Sequence, residues 1–98
     1  MRDNIETDDS GVRQNKAKNR FELLVDGHLA VADYLIIEDR MIFTHTEVPV
    51  ALRGGGIAGK LISFAMEAAR EEGLKVVPQC SYVDRFLDRH PEYSDLRA

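Results

Sequence analysis

The sequence predicts an α+β fold with elements in the order β-β-β-α-β-α, and three observations carry that expectation. Apolar and polar residues alternate with a period of two from residue 20 onward, as in half-buried strands. After Pro49 the spacing of apolar residues becomes helical. A short apolar run closed by Pro78 then precedes a second helical segment. At 98 residues the chain fits one domain, because a core of this size cannot be divided further.

Residues 1–19 carry only Ile5, Val12 and Ala17 as apolar side chains besides the initiating Met1, too few to offset the entropy of ordering, and read as a flexible tail. The folded domain is expected over residues 20–98. Phe21, Leu23 and Val25 alternate along a first strand that ends at the hairpin signal Asp26-Gly27. Residues 29–38 are rich in Val, Leu, Ile and Tyr, and Glu38-Asp39-Arg40 separates them from a third strand over residues 41–48. Three strands joined by short turns form an antiparallel meander. Ile57, Leu61, Phe64, Ala65 and Ala68 share one face of the first helix, which Gly73 stops. Residues 74–77 form a further strand. Ser81, with Asp84 three residues on, is the expected cap of a second helix over residues 82–89 that buries Val83, Phe86 and Leu87 until Pro91 ends it.

The composition excludes several function classes. No apolar run approaches the roughly 18 residues of a membrane span, and the polar N-terminus has no secretory apolar region, so a soluble cytoplasmic protein without a membrane partner is expected. The net charge of -4 argues against nucleic acid as the main partner. The single cysteine, Cys80, cannot form an internal disulfide, which suits a reducing compartment. One cysteine and three scattered histidines lack ligand spacing, so no metal site is expected.

The densest chemical signal is Arg53-Gly54-Gly55-Gly56-Ile57-Ala58-Gly59-Lys60, between the third strand and the first helix. A helix start offers free N–H groups and a positive dipole end to an anion, and glycines let a phosphate approach the backbone. The same run also suits a flexible connection. Gly54, Gly56 and Gly59 satisfy G-x-G-x-x-G, but the acidic residue expected about 20 positions on is Gln79, and a dinucleotide fold needs a larger parallel sheet. Gly54 to Lys60 also fits G-x-x-x-x-G-K, yet Leu61 stands where a magnesium-binding hydroxyl belongs.

A third match decides the context. Arg53-x-x-Gly56-x-Ala58 resembles the pyrophosphate-binding motif of the GCN5-related N-acetyltransferases, and it follows a strand ending at Val48 as in that family. The resemblance extends from about Arg20 to Leu96 and is nearest to the small stand-alone members. In these, His45-Thr46-Glu47-Val48-Pro49, Arg53-Gly54-x-Gly56-Ile57, Cys80 and His90-Pro91-Glu92-Tyr93 recur at this spacing. The resemblance implies a minimal fold of the family and acetyl-CoA as cofactor. It implies that the pyrophosphate sits on the N–H groups of residues 54–60 with Arg53 adding charge. The pantetheine arm would then enter a splay of the sheet beside Val48.

Acetyl transfer to an amine requires removal of a proton from the ammonium, stabilisation of an oxyanion, and acceptance of a leaving thiolate. A free lysine amine, with a pKa near 10.4, reacts slowly at neutral pH without help. His45 and Glu47 alternate on the strand and project to one sheet face, where they could serve as bases or form a surface pair. Cys80 precedes a helix N-terminus, which favours a thiolate able to act as base or nucleophile; an inert core thiol is the competing reading. Larger family members often carry a thiolate-protonating tyrosine where Leu87 lies here, with Tyr82 and Tyr93 as candidate substitutes. The His90-Pro91-Glu92-Tyr93 run is read as the stop of the second helix.

Three readings of function emerge. The first is an N-acetyltransferase moving acetyl from acetyl-CoA to a primary amine, with an open acceptor side suited to a protein or peptide. The second is an acyl-CoA-binding or sensing module without turnover. A pure interaction domain is a third reading, and it predicts no cofactor affinity.

Overall fold

The computed structural model describes residues 11–98. One five-stranded sheet is ordered β1-β2-β3-β4-β5. Strands β1 (Arg13–Asn15), β2 (Arg20–Val25), β3 (His28–Ile37) and β4 (Arg40–Glu47) form an antiparallel meander, and β5 (Lys75–Pro78) pairs in parallel with β4. A parallel neighbour needs a long crossover. Here a 3-10 turn at Val50–Leu52 and helix α1 (Ile57–Glu71) supply it. Helix α2 (Ser81–Arg89) and a second 3-10 turn at Pro91–Leu96 complete the described chain. The α+β class and the element order of the helices and last four strands agree with the sequence.

The β2–β3 turn is built on Asp26 and Gly27, both at positive φ (51° and 79°), the geometry whose twist matches the flanking strands. Phe21, Tyr34 and Phe43 meet on the α1 side of the sheet, with the Phe21 and Tyr34 ring centres 5.3 Å apart. Helix α1 covers them with Leu61, Ile62, Ala65, Met66 and Ala69. Each of the larger side chains contributes about 1.5–3 kcal/mol through burial. This stripe is rotated from the expected one. Ile57, Phe64 and Ala68 lie half-buried at its rim, because α1 packs across β2, β3 and β5 with Ile62 and Met66 directed inward. Gly73, at φ 71°, ends the helix as expected.

Two local expectations are corrected. Within the segment read as a tail, residues 11–19 carry β1, which pairs with β2 from Arg13↔Glu22 to Asn15↔Arg20, and Val12 is fully buried. Polar contacts absent from an apolar count hold it. Gln14 Nε2 donates to the Tyr34 hydroxyl at 2.8 Å, while Arg13 and Asn15 donate to the buried Glu22 carboxylate at 3.0 and 3.1 Å. Residues 1–10 of the expected tail lie outside the described residues. The N-cap of α2 is Cys80 and not Ser81, which is already the first helical residue. The Cys80 amide is drawn into the sheet by donating to the Phe43 carbonyl at 2.9 Å, so the helix starts one residue early.

No helix among the described residues is long and apolar enough to cross a membrane.

Candidate functional site

Strand β4 carries a bulge that sets the geometry of the site. Tyr34 pairs with Phe43 and Asp33 with His45, leaving Thr44 without a partner. The extra residue shifts the side-chain alternation by one. Before it, Met41 and Phe43 point into the core; after it, Thr46 is the half-buried residue, while His45 and Glu47 are exposed. On the other side of β4, pairing with β5 ends at Phe43↔Pro78, and the chain leaves the sheet through Cys80 into α2. Beyond Phe43 the two parallel strands therefore part.

A cleft of about 660 Å³ occupies the opening, and residues 45–48 of β4 and its extension all line it. Since neighbouring strand residues face opposite sides, four lining residues in a row mean that the cleft meets the edge of the strand and not one face. Leu52, Arg53, Gly54, Gly56, Ile57, Ala58 and Gly59 form its floor and Tyr82 of α2 its far wall. Most of the expected cofactor residues are thus brought together. Gly55 and Lys60 are not in the lining, and the Lys60 amide is already committed to the Gly56 carbonyl at 3.1 Å. The free donors of the first turn are those of Ile57, Ala58 and Gly59, which have no carbonyl one turn earlier in the helix.

The glycines test whether this floor fits a diphosphate. Gly54 and Gly56 need their residue type for the turn, with φ of 87° and 75°. Gly59 does not: its φ is ordinary, and a Cβ added there would meet nothing within 4 Å. Glycine inside a helix costs up to about 1 kcal/mol relative to alanine, and neither backbone nor packing explains it here. An open glycine facing a cleft beside three free N–H groups and the helix dipole suits an anion pressed against the backbone. Arg53 closes the turn, its Nε donating to the Val48 carbonyl at 3.0 Å.

The expected catalytic residues divide between the two sides of β4. His45 Nε2 and Glu47 Oε1 are 3.2 Å apart on the open face, both mostly exposed. Cys80 Sγ, half-buried at the start of α2, lies 3.4 Å from Thr46 Oγ1. Burial pushes the thiol pKa up, but the Thr46 hydroxyl and the amides of Val83 and Tyr82 in the first turn of α2 outweigh it and hold the thiol below its ordinary value. Cys80 itself is not in the cleft lining; its neighbours Thr46 and Tyr82 are.

Tyr82 is one of the two substitute acids considered from the sequence, and only it reaches the cleft. Tyr93 donates to Glu67 at 2.7 Å, beneath the Arg70 guanidinium, where burial and then the Glu67 carboxylate push its pKa up to about 12. His90 stacks on Phe86 with ring centres 3.8 Å apart and contacts the Phe86 carbonyl through Nδ1 at 2.8 Å, so the His90–Tyr93 run closes α2. Thr46 and Leu52 are site residues that sequence reasoning missed. The bulge that turns Thr46 toward Cys80 leaves no mark in the alternation pattern. Among the described residues no group of His, Cys, Asp and Glu is arranged to hold a metal.

A meander opened beside a parallel strand, with a helix N-terminus and glycine turn at the opening, is the architecture of the GCN5-related N-acetyltransferase fold. Sequence comparison agrees: the model of the GCN5-related N-acetyltransferase family matches residues 20–96, and the chain belongs to that family. It is 34% identical over 87 residues to Protein NATD1 of Danio rerio, covering 84% of this chain and 79% of that one. It is 32% identical over 83 residues to Protein NATD1 of Homo sapiens, covering 82% and 74%. Among solved structures, a GCN5-like protein from Staphylococcus aureus, determined by NMR, superposes with a TM-score of 0.67. The two are 26% identical, over 91% of this chain and 88% of that one.

Proposed function

We propose that the protein is an N-acetyltransferase that moves the acetyl group of acetyl-CoA to a primary amine. The observation that carries this reading is Gly59, a helical glycine with open space where a side chain would stand, in the floor of the cleft. Ile57, Ala58 and Gly59 would hold the diphosphate with their N–H groups, Arg53 would add charge, and the thioester end would reach the strand edge at Val48. The attacking amine must lose a proton, for which the exposed Glu47, paired with His45, and the Cys80 thiol are the candidates on opposite sides of the strand. The open His45–Glu47 face favours an acceptor carried on a protein or peptide. A reducing cytoplasm, which keeps the lone Cys80 free, is the compartment that fits.

A second reading, an acyl-CoA-binding module without turnover, is favoured by the side chains at the acid positions: Leu87, where larger family members carry a tyrosine, has no proton to give, and Tyr93 is tied to Glu67, which leaves Tyr82 alone of the three at the cleft. Calorimetry with CoA and acetyl-CoA tests both, since no binding removes both. In Gly56→Glu a carboxylate would enter the anion site, so binding should be abolished, while the strain of a side chain at φ 75° should lower the melting temperature by roughly 5–15 °C and leave the protein folded at 25 °C. Binding without acetyl transfer to any amine selects the module.

A further inference from the structure

The link from β4 to α1 is tied to itself at one point. After Glu47 the chain passes through Val48 and Pro49 into the 3-10 turn, where the Leu52 amide donates to Pro49 at 2.9 Å and the Arg53 amide to Val50 at 3.2 Å. Arg53 then returns to an extended conformation (φ -70°, ψ 146°), and its Nε donates to the Val48 carbonyl at 3.0 Å. That carbonyl lies just past the last paired residue of the strand. The side chain of Arg53 thus closes the loop. The Arg53 guanidinium has no other polar partner among the described residues.

A guanidinium presents five N–H donors in a planar fork, so one edge can hold a carbonyl while the two outer nitrogens hold an anion. Both Arg53 and Val48 line the cleft, and Arg53 directly precedes the glycine turn. We propose that Arg53 is a positioning residue that fastens the Val48 carbonyl through Nε while its outer nitrogens meet the diphosphate. Capture of the anionic end of the ligand then fixes the strand end against which its pantetheine end must lie. The inference rests on the cofactor reading above and adds to it a coupling between the two ends of the site. A lysine cannot replace this function, because its ammonium carries the charge but has no second, fixed edge for the carbonyl.

Two probes separate the bridge from a plain cationic contact: CoA, and the nucleotide half of CoA, which keeps the diphosphate but lacks the pantetheine arm. Calorimetry is run on wild type, Arg53→Lys and Arg53→Met, and melting curves check that these exposed-site variants fold. Arg53→Met should lose roughly 10-fold or more in affinity for both probes. Arg53→Lys should bind the nucleotide half within about 3-fold of wild type while losing about 10-fold for CoA, because only CoA meets the loosened strand end. Equal behaviour of the two probes in Arg53→Lys, whether both retained or both weakened, overturns the bridge and leaves a simple phosphate contact. A wild type that binds neither probe overturns the cofactor reading itself.

Discussion

Cys80 Sγ and Thr46 Oγ1, 3.4 Å apart, join the start of α2 to β4 across the gap where the sheet has opened. The hydroxyl can turn its hydrogen toward the sulfur once the thiol has ionised, and this is the largest of the effects holding the thiol pKa down against burial. Alkylation of Cys80 by iodoacetamide should therefore show a midpoint pH below that of an ordinary cysteine. Thr46→Val should move the midpoint up, and Thr46→Ser should bring it back. An unchanged midpoint in Thr46→Val would assign the depression to the backbone groups of Val83, Tyr82 and Thr46.

Gly59→Ala separates stability from binding. Alanine is the better helix former and meets no neighbour within 4 Å, so the variant should be more stable by roughly 0.5–1 kcal/mol. Its methyl group stands where the diphosphate is proposed to rest, so CoA affinity should fall about 10-fold. Thermal melts and calorimetry read the two effects independently. A variant that gains stability and binds CoA as well as wild type places the ligand away from this turn.

Those two sites were not equally legible in the sequence. The glycine turn could be placed because glycines and a strand-to-helix change of period are local signals, and both lie within residues 48–60. The Thr46–Cys80 contact joins residues 34 positions apart and depends on the Thr44 bulge, which a period-two pattern does not register. The same limit hid β1. Counting apolar residues left 11–19 as a tail, whereas Gln14–Tyr34 and Arg13–Glu22 bind it with polar groups whose partners are set by the fold. The rotation of α1 toward Ile62 and Met66 has a similar origin, since nearly every face of that helix carries an apolar or small residue and only the sheet selects among them.

Glu22 turns the ordering of β1 into a pH dependence. Burial raises its carboxyl pKa, but hydrogen bonds from Arg20, Asn15 and Arg13 outweigh that and leave it below the ordinary value. A carboxyl lowered on folding contributes stability above its unfolded pKa and loses it as pH falls through the folded value. Glu22→Gln should thus destabilise the protein by about 1–2 kcal/mol at pH 7 and flatten the acid limb of a melting-temperature profile. Deleting residues 1–14 removes the fully buried Val12 as well as Gln14, and should lower the melting temperature by on the order of 10 °C. A deletion that melts like the full chain would show that β1 adds nothing to the core.

The role of Cys80 is decided by what remains when its sulfur is removed. Cys80→Ala keeps a small apolar side chain at a half-buried position, so fold and CoA binding should stay close to wild type. Acetyl transfer should fall by about 10-fold or more if the thiolate takes part. As a nucleophile it would attack the acetyl carbonyl, forming a bond from Cys80 sulfur to carbon while the bond from CoA sulfur to carbon breaks and CoA leaves as a thiolate that takes up a proton. An amine would then displace Cys80 to give the amide. Mass spectrometry after incubation with acetyl-CoA should detect the acetyl adduct on wild type and its discharge on adding an amine. As a base, the thiolate would slow turnover when removed yet leave no adduct. If Cys80→Ala turns over at the wild-type rate and no adduct forms, the thiol only packs, and the mechanism passes to proton removal by Glu47 on the opposite side of the strand or to direct attack by an amine that is already free.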